Sequence, residues 1–128
     1  MQKKTFLITG GSGGIGSALA HKLIKTSYTP LIVYKSNREK AEDLAKAVDG
    51  EAIELNLIDL NAVDRVVDNL ASSDAVLAGV ILGASAPLEI TSFGHISEQD
   101  MENQWRVNVL GHQRLLAGLV RKVFSKRK

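Results

Sequence analysis

A cluster of five glycines near the start of the chain is the stretch whose residue types and spacing could do chemistry. Its members are Gly10, Gly11, Gly13, Gly14 and Gly16. The apolar run 6–8 precedes the cluster, and apolar residues at helical spacing follow from Ile15 to Leu23, which predicts a strand, a turn and a helix. Glycine has no Cβ, so a ligand can lie close to the turn, and the helix N-terminus favours an anion above it. The stretch 9–16 therefore predicts a cradle for a pyrophosphate.

The spacing of these glycines matches two related patterns. Gly-x-Gly-x-x-Gly runs from Gly11 to Gly16, and Gly-x-x-x-Gly-x-Gly runs from Gly10 to Gly16. Glycines alone are weak evidence, because a flexible turn has the same composition, but a second predicted strand at residues 31–34 completes a βαβ context. That context favours dinucleotide binding. An ATP-type phosphate loop needs Lys directly after its last glycine, and Ser17 occupies that position.

The residues after the predicted second strand favour NADP over NAD as the dinucleotide. A protein that binds NAD commonly has an acidic residue about 20 positions after the glycines, where it accepts the ribose hydroxyls. No acidic residue lies between Gly16 and Glu39, and the second strand leads into a segment that contains Lys35, Ser36 and Arg38. Cations suit a 2′-phosphate, so NADP is the predicted cofactor and NAD the alternative.

Strand-like and helical patterns alternate along the chain, which predicts a parallel sheet built from βαβ units. The predicted strands cover residues 5–9, 31–34, 52–57 and 75–82. A helix is predicted after each of the first three strands, and a long last helix from Ser97 to about Phe124. The fold class is therefore α/β: a Rossmann-like, doubly wound parallel sheet truncated to about four strands in the order 3-2-1-4, within one domain of residues 1–128.

Cap residues delimit the second and third predicted helices. Ser36 and Glu39 have the spacing of a capping box at the start of the second helix, and Gly50 is placed to close it. Asp59 or Asn61 can cap the third helix.

Composition excludes several classes of protein and site. The chain has 128 residues, 45% hydrophobic and 23% charged, which is typical of one globular domain. It has no cysteine, which excludes disulfides and is compatible with the predicted cytoplasmic location. The longest apolar segment, residues 75–88, is too short to span a bilayer, so no membrane association is predicted. Five of the 16 basic residues lie in residues 121–128, where they predict a solvated helix end and no nucleic-acid binding.

The three histidines lack the spacing of metal ligands, and we expect no metal site. They are His21, His95 and His112, and they are expected to be surface or helix-packing residues.

Two motifs together resemble the short-chain dehydrogenase/reductase family, specifically its classical, ketoreductase-like members. Thr9-Gly10-x-x-x-Gly14-x-Gly16 is similar to the cofactor signature of that family, and Asn108 in the run 107–111 is similar to the asparagine of its active-site tetrad. The resemblance extends over all 128 residues but only over the first half of the family's domain. It implies hydride transfer between a nicotinamide cofactor and a carbonyl or alcohol, with Asn108 as the catalytic candidate.

The other three members of the family's tetrad, a Ser, a Tyr and a Lys four positions after that Tyr, have no counterpart here. The only tyrosines are Tyr28 and Tyr34, and Ile32 and Arg38 lie four positions after them. A reductase without its proton donor loses roughly 10²- to 10⁴-fold in rate, so we expect the chain as given to be inactive alone.

Two further positions depart from the family's pattern. The family's Asn-Asn-Ala-Gly is replaced by Leu82-Gly83-Ala84-Ser85, and Asn56 stands where an Asp often lies beside the adenine. An amide can still bond the adenine amine, and small residues still admit the cofactor. The residues expected to hold it are Gly10, Ser12, Gly14, Ile15, Gly16, Lys35, Ser36, Arg38, Asn56, Leu57, Gly83 and Ala84.

Three functions are compatible with these residues. The first is the cofactor-binding half of an NADP(H)-dependent oxidoreductase, as a fragment or as a natural truncation. The second is a non-catalytic dinucleotide-binding or sensing module, and the third is a structural dimerisation domain. A truncated sheet leaves its fourth strand as an apolar edge, and the last helix has more apolar residues than its own sheet covers. A homodimer or a higher homo-oligomer is therefore predicted, with the dinucleotide as the other partner.

Overall fold

Four parallel strands form a single sheet in the computed structural model, which describes residues 4–87 and 90–127. The strands are β1 (Lys4–Thr9), β2 (Thr29–Tyr34), β3 (Glu51–Glu54) and β4 (Val76–Leu82). Their spatial order is β3-β2-β1-β4, which confirms the predicted truncated Rossmann-like fold. Strand β3 is shorter than predicted, because the chain leaves the sheet after the Leu55 N–H has donated to the Tyr34 carbonyl at 2.8 Å.

The described part of the chain contains five α-helices: α1 (Gly14–Ile24), α2 (Arg38–Ala47), α3 (Leu60–Ser72), α4 (Glu98–Trp105) and α5 (His112–Lys122). Helices α1, α2, α3 and α5 pack against the sheet, whereas α4 has no buried residue and contacts the helical segment after it. Leu7 and Leu31 belong to a core shared with α3 and α5, whereas Ile8 and Ile32 belong to a second core shared with α1 and α2. Because successive strand residues point to opposite faces, each face of the sheet has its own apolar core.

The helix caps agree with the sequence at α3 and differ from it at the start of α2. Asp59 caps α3, accepting from the Ala62 N–H at 3.1 Å. At α2 the capping box predicted for Ser36 is wrong, since Asn37 is the last residue before the helix and accepts from the Lys40 N–H at 3.2 Å. Gly50 closes α2 as predicted, since its N–H donates to the Ala45 carbonyl at 2.8 Å, and the left-handed residue before it is Asp49, with φ of 49°. Gly50 also lies against β2, where a Cβ would be 2.4 Å from the Pro30 carbonyl oxygen.

The predicted long last helix is present but is not a continuous α-helix. A π-helical segment, Arg106–Gly111, joins α4 to α5, and a short 3-10 turn follows at Phe124–Arg127. The wider π turn contains Asn108 and ends at Gly111. A Cβ at Gly111 would be 2.3 Å from the Leu57 carbonyl oxygen. Because Gly111 has no side chain, the end of the π segment packs directly against the connection between β3 and α3.

We predict that Gly111→Ala lowers the free energy of unfolding by about 1–3 kcal/mol, because the new methyl group forces the helix away from the backbone at Leu57. Gly94→Ala is the matched control, since a Cβ at Gly94 meets no atom within 4 Å, and we expect it to change that free energy by less than about 0.5 kcal/mol. Urea unfolding followed by circular dichroism measures both variants. Equal stability of the two variants would contradict this packing.

Candidate functional site

Residues 10–13, which connect β1 to α1 and are called the glycine turn below, pack tightly against the residues that follow β4. Gly10 has φ of +64°, and a Cβ there would lie 2.8 Å from the Gly83 carbonyl oxygen and 2.8 Å from the Ala84 Cα. The Gly13 N–H donates to the Gly10 carbonyl at 3.1 Å, which tightens the turn. Only glycine satisfies both the positive φ and this close approach. The turn after β1 and the loop after β4 are therefore in direct backbone contact.

The two glycines in the first turn of α1 differ in the space around them. A Cβ at Gly16 would be 2.3 Å from the Gly10 carbonyl oxygen, so the fold itself excludes a side chain there. A Cβ at Gly14 would have no atom within 4 Å, so the protein alone does not require glycine at this position. Gly14 instead leaves open space above the N-terminus of α1.

The N-terminus of α1 presents free backbone donors to this space. Its N-cap is Gly13, which provides no side-chain hydrogen bond, and the first helical bond runs from the Ser17 N–H to the Gly13 carbonyl at 2.8 Å. Among the described residues, no acceptor pairs with the N–H groups of Gly14, Ile15 or Gly16. The first turn contains no acidic residue, and Ile15 is 80% exposed. Unpaired donors with the positive end of the helix dipole favour a bound anion.

A cleft of about 220 Å³ begins at the glycine turn and extends over the carboxyl ends of β2 and β3. Half of the predicted cofactor-binding residues line it: Gly10, Lys35, Ser36, Asn56, Leu57 and Ala84. Val33, Leu55 and Val107 add apolar walls. The cleft therefore joins the glycine turn to a partly apolar groove with one cationic side chain.

The other predicted binding residues lie around this cleft or outside it. Ser12 belongs to the glycine turn, and Gly83 contacts it. Arg38 does not line the cleft, because its Nε donates to the Glu42 carboxylate at 2.8 Å on the exposed surface of α2. That hydrogen bond raises the pKa of the Arg38 guanidinium. Lys35 is thus the one predicted cation that the structure places in the cleft.

Asn108 holds the loop after β4 in place. Its Oδ1 accepts from the Ala86 N–H at 3.0 Å, and its Nδ2 donates to Gln104 Oε1 at 2.8 Å. Gln104 in turn donates from Nε2 to the Pro87 carbonyl at 2.9 Å. The predicted catalytic asparagine therefore positions the backbone of the residues that line the cleft.

Thr9 and His112 are site residues that the sequence interpretation missed. The Thr9 Oγ1 accepts from the N–H groups of Gly83 and Ala84 at 3.0 and 3.1 Å, and it lies 2.8 Å from His112 Nε2. Both side chains are buried. Of the two environments expected for His112, surface or helix packing, the structure has the second, and the hydrogen bond to the Thr9 hydroxyl is the part that was not expected. A signal was present, because His112 lies four residues after Asn108 and so shares its helix face.

A larger cavity, of about 640 Å³, lies at the opposite end of the sheet. It lies near the amino ends of the strands, where Thr5, Thr29 and Glu51 line it, and no predicted site residue contributes to it. We assign the functional site to the smaller cleft, because the glycine turn and the predicted polar residues converge there.

Residues 4–87 and 90–127 contain no group of three or more His, Cys, Asp or Glu side chains that could hold a metal ion. No helix among them is both long and apolar enough to cross a bilayer.

Comparison with known proteins shows which proteins this arrangement resembles. The 3-oxoacyl-(acyl-carrier-protein) reductase of Aggregatibacter actinomycetemcomitans is 27% identical over 130 aligned residues, covering 98% of this chain and 53% of the relative. The NADP-dependent 3-hydroxy acid dehydrogenase of Schizosaccharomyces pombe is 26% identical, covering 98% of this chain and 51% of the relative. The chain thus spans about half the length of these relatives.

A solved structure extends the comparison to the fold. A short chain dehydrogenase from Burkholderia cenocepacia in complex with NADP superposes with a TM-score of 0.85 at 26% identity. The superposition covers 94% of this chain and 51% of that one. The sequence profile of the family described as short chain dehydrogenase matches residues 4–128. Because that match covers nearly the whole chain, the protein belongs to the short-chain dehydrogenase family.

Proposed function

We propose that this chain is the cofactor-binding half of an NADP(H)-dependent short-chain oxidoreductase. The observation that carries the proposal is the cleft that joins the glycine turn to Lys35, Ser36 and Asn56. The pyrophosphate of the cofactor would lie over the free N–H groups at the start of α1, in the open space above Gly14. The adenosine would extend from there into the cleft.

Charge at the end of β2 supports NADP over NAD. The residue after β2 is Lys35, which lines the cleft with an exposed side chain, and no acidic residue lines that cleft. A cation at this place would neutralise a 2′-phosphate, whereas it offers no acceptor for a ribose 2′-hydroxyl. One relative named above is NADP-dependent, and the Burkholderia structure contains NADP. The cofactor of both proteins is therefore the one proposed for this chain.

The chemistry of the reaction would be divided between the cofactor and the protein. When bound, the nicotinamide supplies or accepts a hydride from a carbonyl or alcohol. This chain's residues would bind the dinucleotide and, through Asn108 and Gln104, hold the loop 83–87 beside it. The family's Ser, Tyr and Lys have no counterpart among the 128 residues, so the chain by itself is expected to bind the cofactor without turnover.

An exposed apolar stripe supports the proposal that the chain forms a homodimer. Along one side of α4, the π segment and α5 lie five large apolar side chains that are each at least 41% exposed: Met101, Trp105, Val109, Leu116 and Val120. Strand β4 also lies at an edge of the sheet, where Leu82 is exposed. Contiguous exposed apolar surface of this kind usually marks an interface, and a second copy of the helix would cover the stripe. A cytoplasmic location stays a prediction.

We expect Gly14→Ala to weaken NADPH binding at least about tenfold, equivalent to ~1.4 kcal/mol, because the methyl group enters the proposed pyrophosphate space. The melting temperature should stay equal or rise, since alanine is preferred in a helix and the site has room for it. Fluorescence titration with NADPH measures affinity, with Gly94→Ala as control.

Two outcomes of this titration are informative. If the unaltered chain does not bind NADPH, a purely structural role replaces the proposed function. If Gly14→Ala binds as tightly as the unaltered chain, the pyrophosphate lies elsewhere.

Lys35→Glu should reduce the preference for NADPH over NADH by about tenfold or more, because a charge-assisted contact contributes about 1.5–3 kcal/mol. Lys25→Glu makes the same charge change at an exposed position outside the cleft and should leave the preference unchanged. The measurement is the ratio of the two dissociation constants in each variant. An unchanged ratio in Lys35→Glu would contradict recognition of the 2′-phosphate by this lysine.

Trp105→Glu should convert the proposed homodimer into a monomer at micromolar concentration, because it places a charge in the centre of the apolar stripe. Ala47→Glu introduces the same charge on the exposed surface of α2, on the other face of the sheet, and should leave the dimer intact. Light scattering gives the mass of each species. A monomeric mass for the unaltered chain would overturn the dimer.

A further inference from the structure

One buried hydroxyl connects the carboxyl ends of β1 and β4. Thr9 is the last residue of β1, and its Oγ1 accepts from the Gly83 and Ala84 N–H groups at 3.0 and 3.1 Å. A hydroxyl oxygen has two acceptor positions and one donor proton. Both acceptor positions of Thr9 are therefore used, and its own proton must go to a third group.

The geometry makes His112 that third group and determines its tautomer. Its Nε2 lies 2.8 Å from Thr9 Oγ1, so the hydroxyl donates and Nε2 accepts. An accepting Nε2 carries no proton, which leaves the ring proton on Nδ1. The Thr9 hydroxyl and the His112 ring thus form a pair in which the direction of each proton is fixed.

The surroundings favour the neutral ring. Thr9 is 0% and His112 6% exposed, and burial lowers the pKa of His112 below its ordinary value, with the Asn108 carbonyl opposing this. The groups that contact the ring from β1 and from the π segment carry no charge. The charged residues nearest to it along the chain, Arg106 and Arg114, are paired with Glu102 and Asp64.

Protonation of His112 is incompatible with this arrangement. A protonated Nε2 would point an N–H at an oxygen whose acceptor positions are already occupied, and the Thr9 proton would lose its acceptor. At least one of the bonds to Gly83 or Ala84 must then break or lengthen. Both residues touch Gly10, and Ala84 lines the cleft.

We propose that His112 is a positioning residue of the cofactor site, whose neutral ring orients the Thr9 hydroxyl and thereby holds the Gly83–Ala84 turn against the glycine turn. The inference rests on the proposed binding of NADP(H) in this cleft. Burial lowers the pKa of His112, so its ring takes up a proton at lower pH than an ordinary histidine, whose pKa is about 6.5. Cofactor affinity is predicted to decrease in that acidic range.

The first test compares NADPH binding between pH 7.5 and pH 5.5 in the unaltered chain and in His112→Gln. The glutamine oxygen can accept the hydroxyl proton and does not titrate, so the affinity of each protein at pH 7.5 is the reference for its own loss at pH 5.5. A ring with the ordinary pKa of about 6.5 would cost about tenfold in affinity at pH 5.5. Because burial lowers the pKa of His112, the unaltered chain should lose at least about twofold and less than about tenfold more affinity than the variant. The 2′-phosphate titrates equally in both proteins. His21→Gln, at an exposed position on α1, should keep the profile of the unaltered chain.

A second measurement needs neither cofactor nor variant. In ¹⁵N NMR spectra of the unaltered chain, the His112 ring should show the Nδ1–H tautomer at pH 7.5. The amide resonances of Gly83 and Ala84 should titrate with that ring.

The two tests separate the failure of this inference from the failure of the proposed function. If NADPH does not bind at pH 7.5, the proposed function is wrong, while the amide titration still tests His112. If NADPH binds with the same pH dependence in the unaltered chain and in His112→Gln, or if the two amides do not respond to the ring, the positioning role is overturned.

Discussion

The contact between the Thr9 hydroxyl and the two N–H groups after β4 is the interaction on which the site depends. It brings Gly83 and Ala84 against the turn at Gly10, where positive φ and the absence of a Cβ permit backbone contact. Such hydrogen bonds contribute only about 1 kcal/mol each, but a buried donor left without its acceptor costs about 1–3 kcal/mol. The turn after β1 and the loop after β4 are therefore held as one unit, and the cleft opens beside it.

Helix α5 packs against α3 and so supports the turn after β1 and the loop after β4. Leu115 and Leu119 of α5 are fully buried with Val63 and Val67 of α3, and this apolar contact carries the packing of the two helices. The exposed pairs Arg114–Asp64 and Lys122–Asp68 lie along the same contact, where surface ion pairs add little stability. Held in this way, the π segment presents Asn108 to the loop, and the start of α5 presents His112 to Thr9. The helix that packs the core therefore also shapes the cleft.

Local features of the sequence predicted much of the fold. The glycine turn depends on spacing within a few residues, and the strand order follows from the alternation of strands and helices along the chain; the structure has both. Of the two caps predicted for α3, Asp59 or Asn61, it has Asp59. Predictions were wrong where two neighbouring residues compete for one local role. Ser36 and Asn37 both suit an N-cap, and the position of the first helical turn selected Asn37. Gly50 closes α2 as predicted, and the close approach of Pro30 requires glycine there as well.

The sequence by itself determined the family, the order of the elements and the position of the glycine turn, because these follow from patterns within short stretches. Only the tertiary structure decided which of the candidate residues meet. It placed Lys35 in the cleft and paired Arg38 with Glu42, although both residues are cations after the same strand. It also joined Thr9 to His112 across 103 positions of sequence. No local pattern encodes that pair, because it depends on how the last helix packs across the sheet.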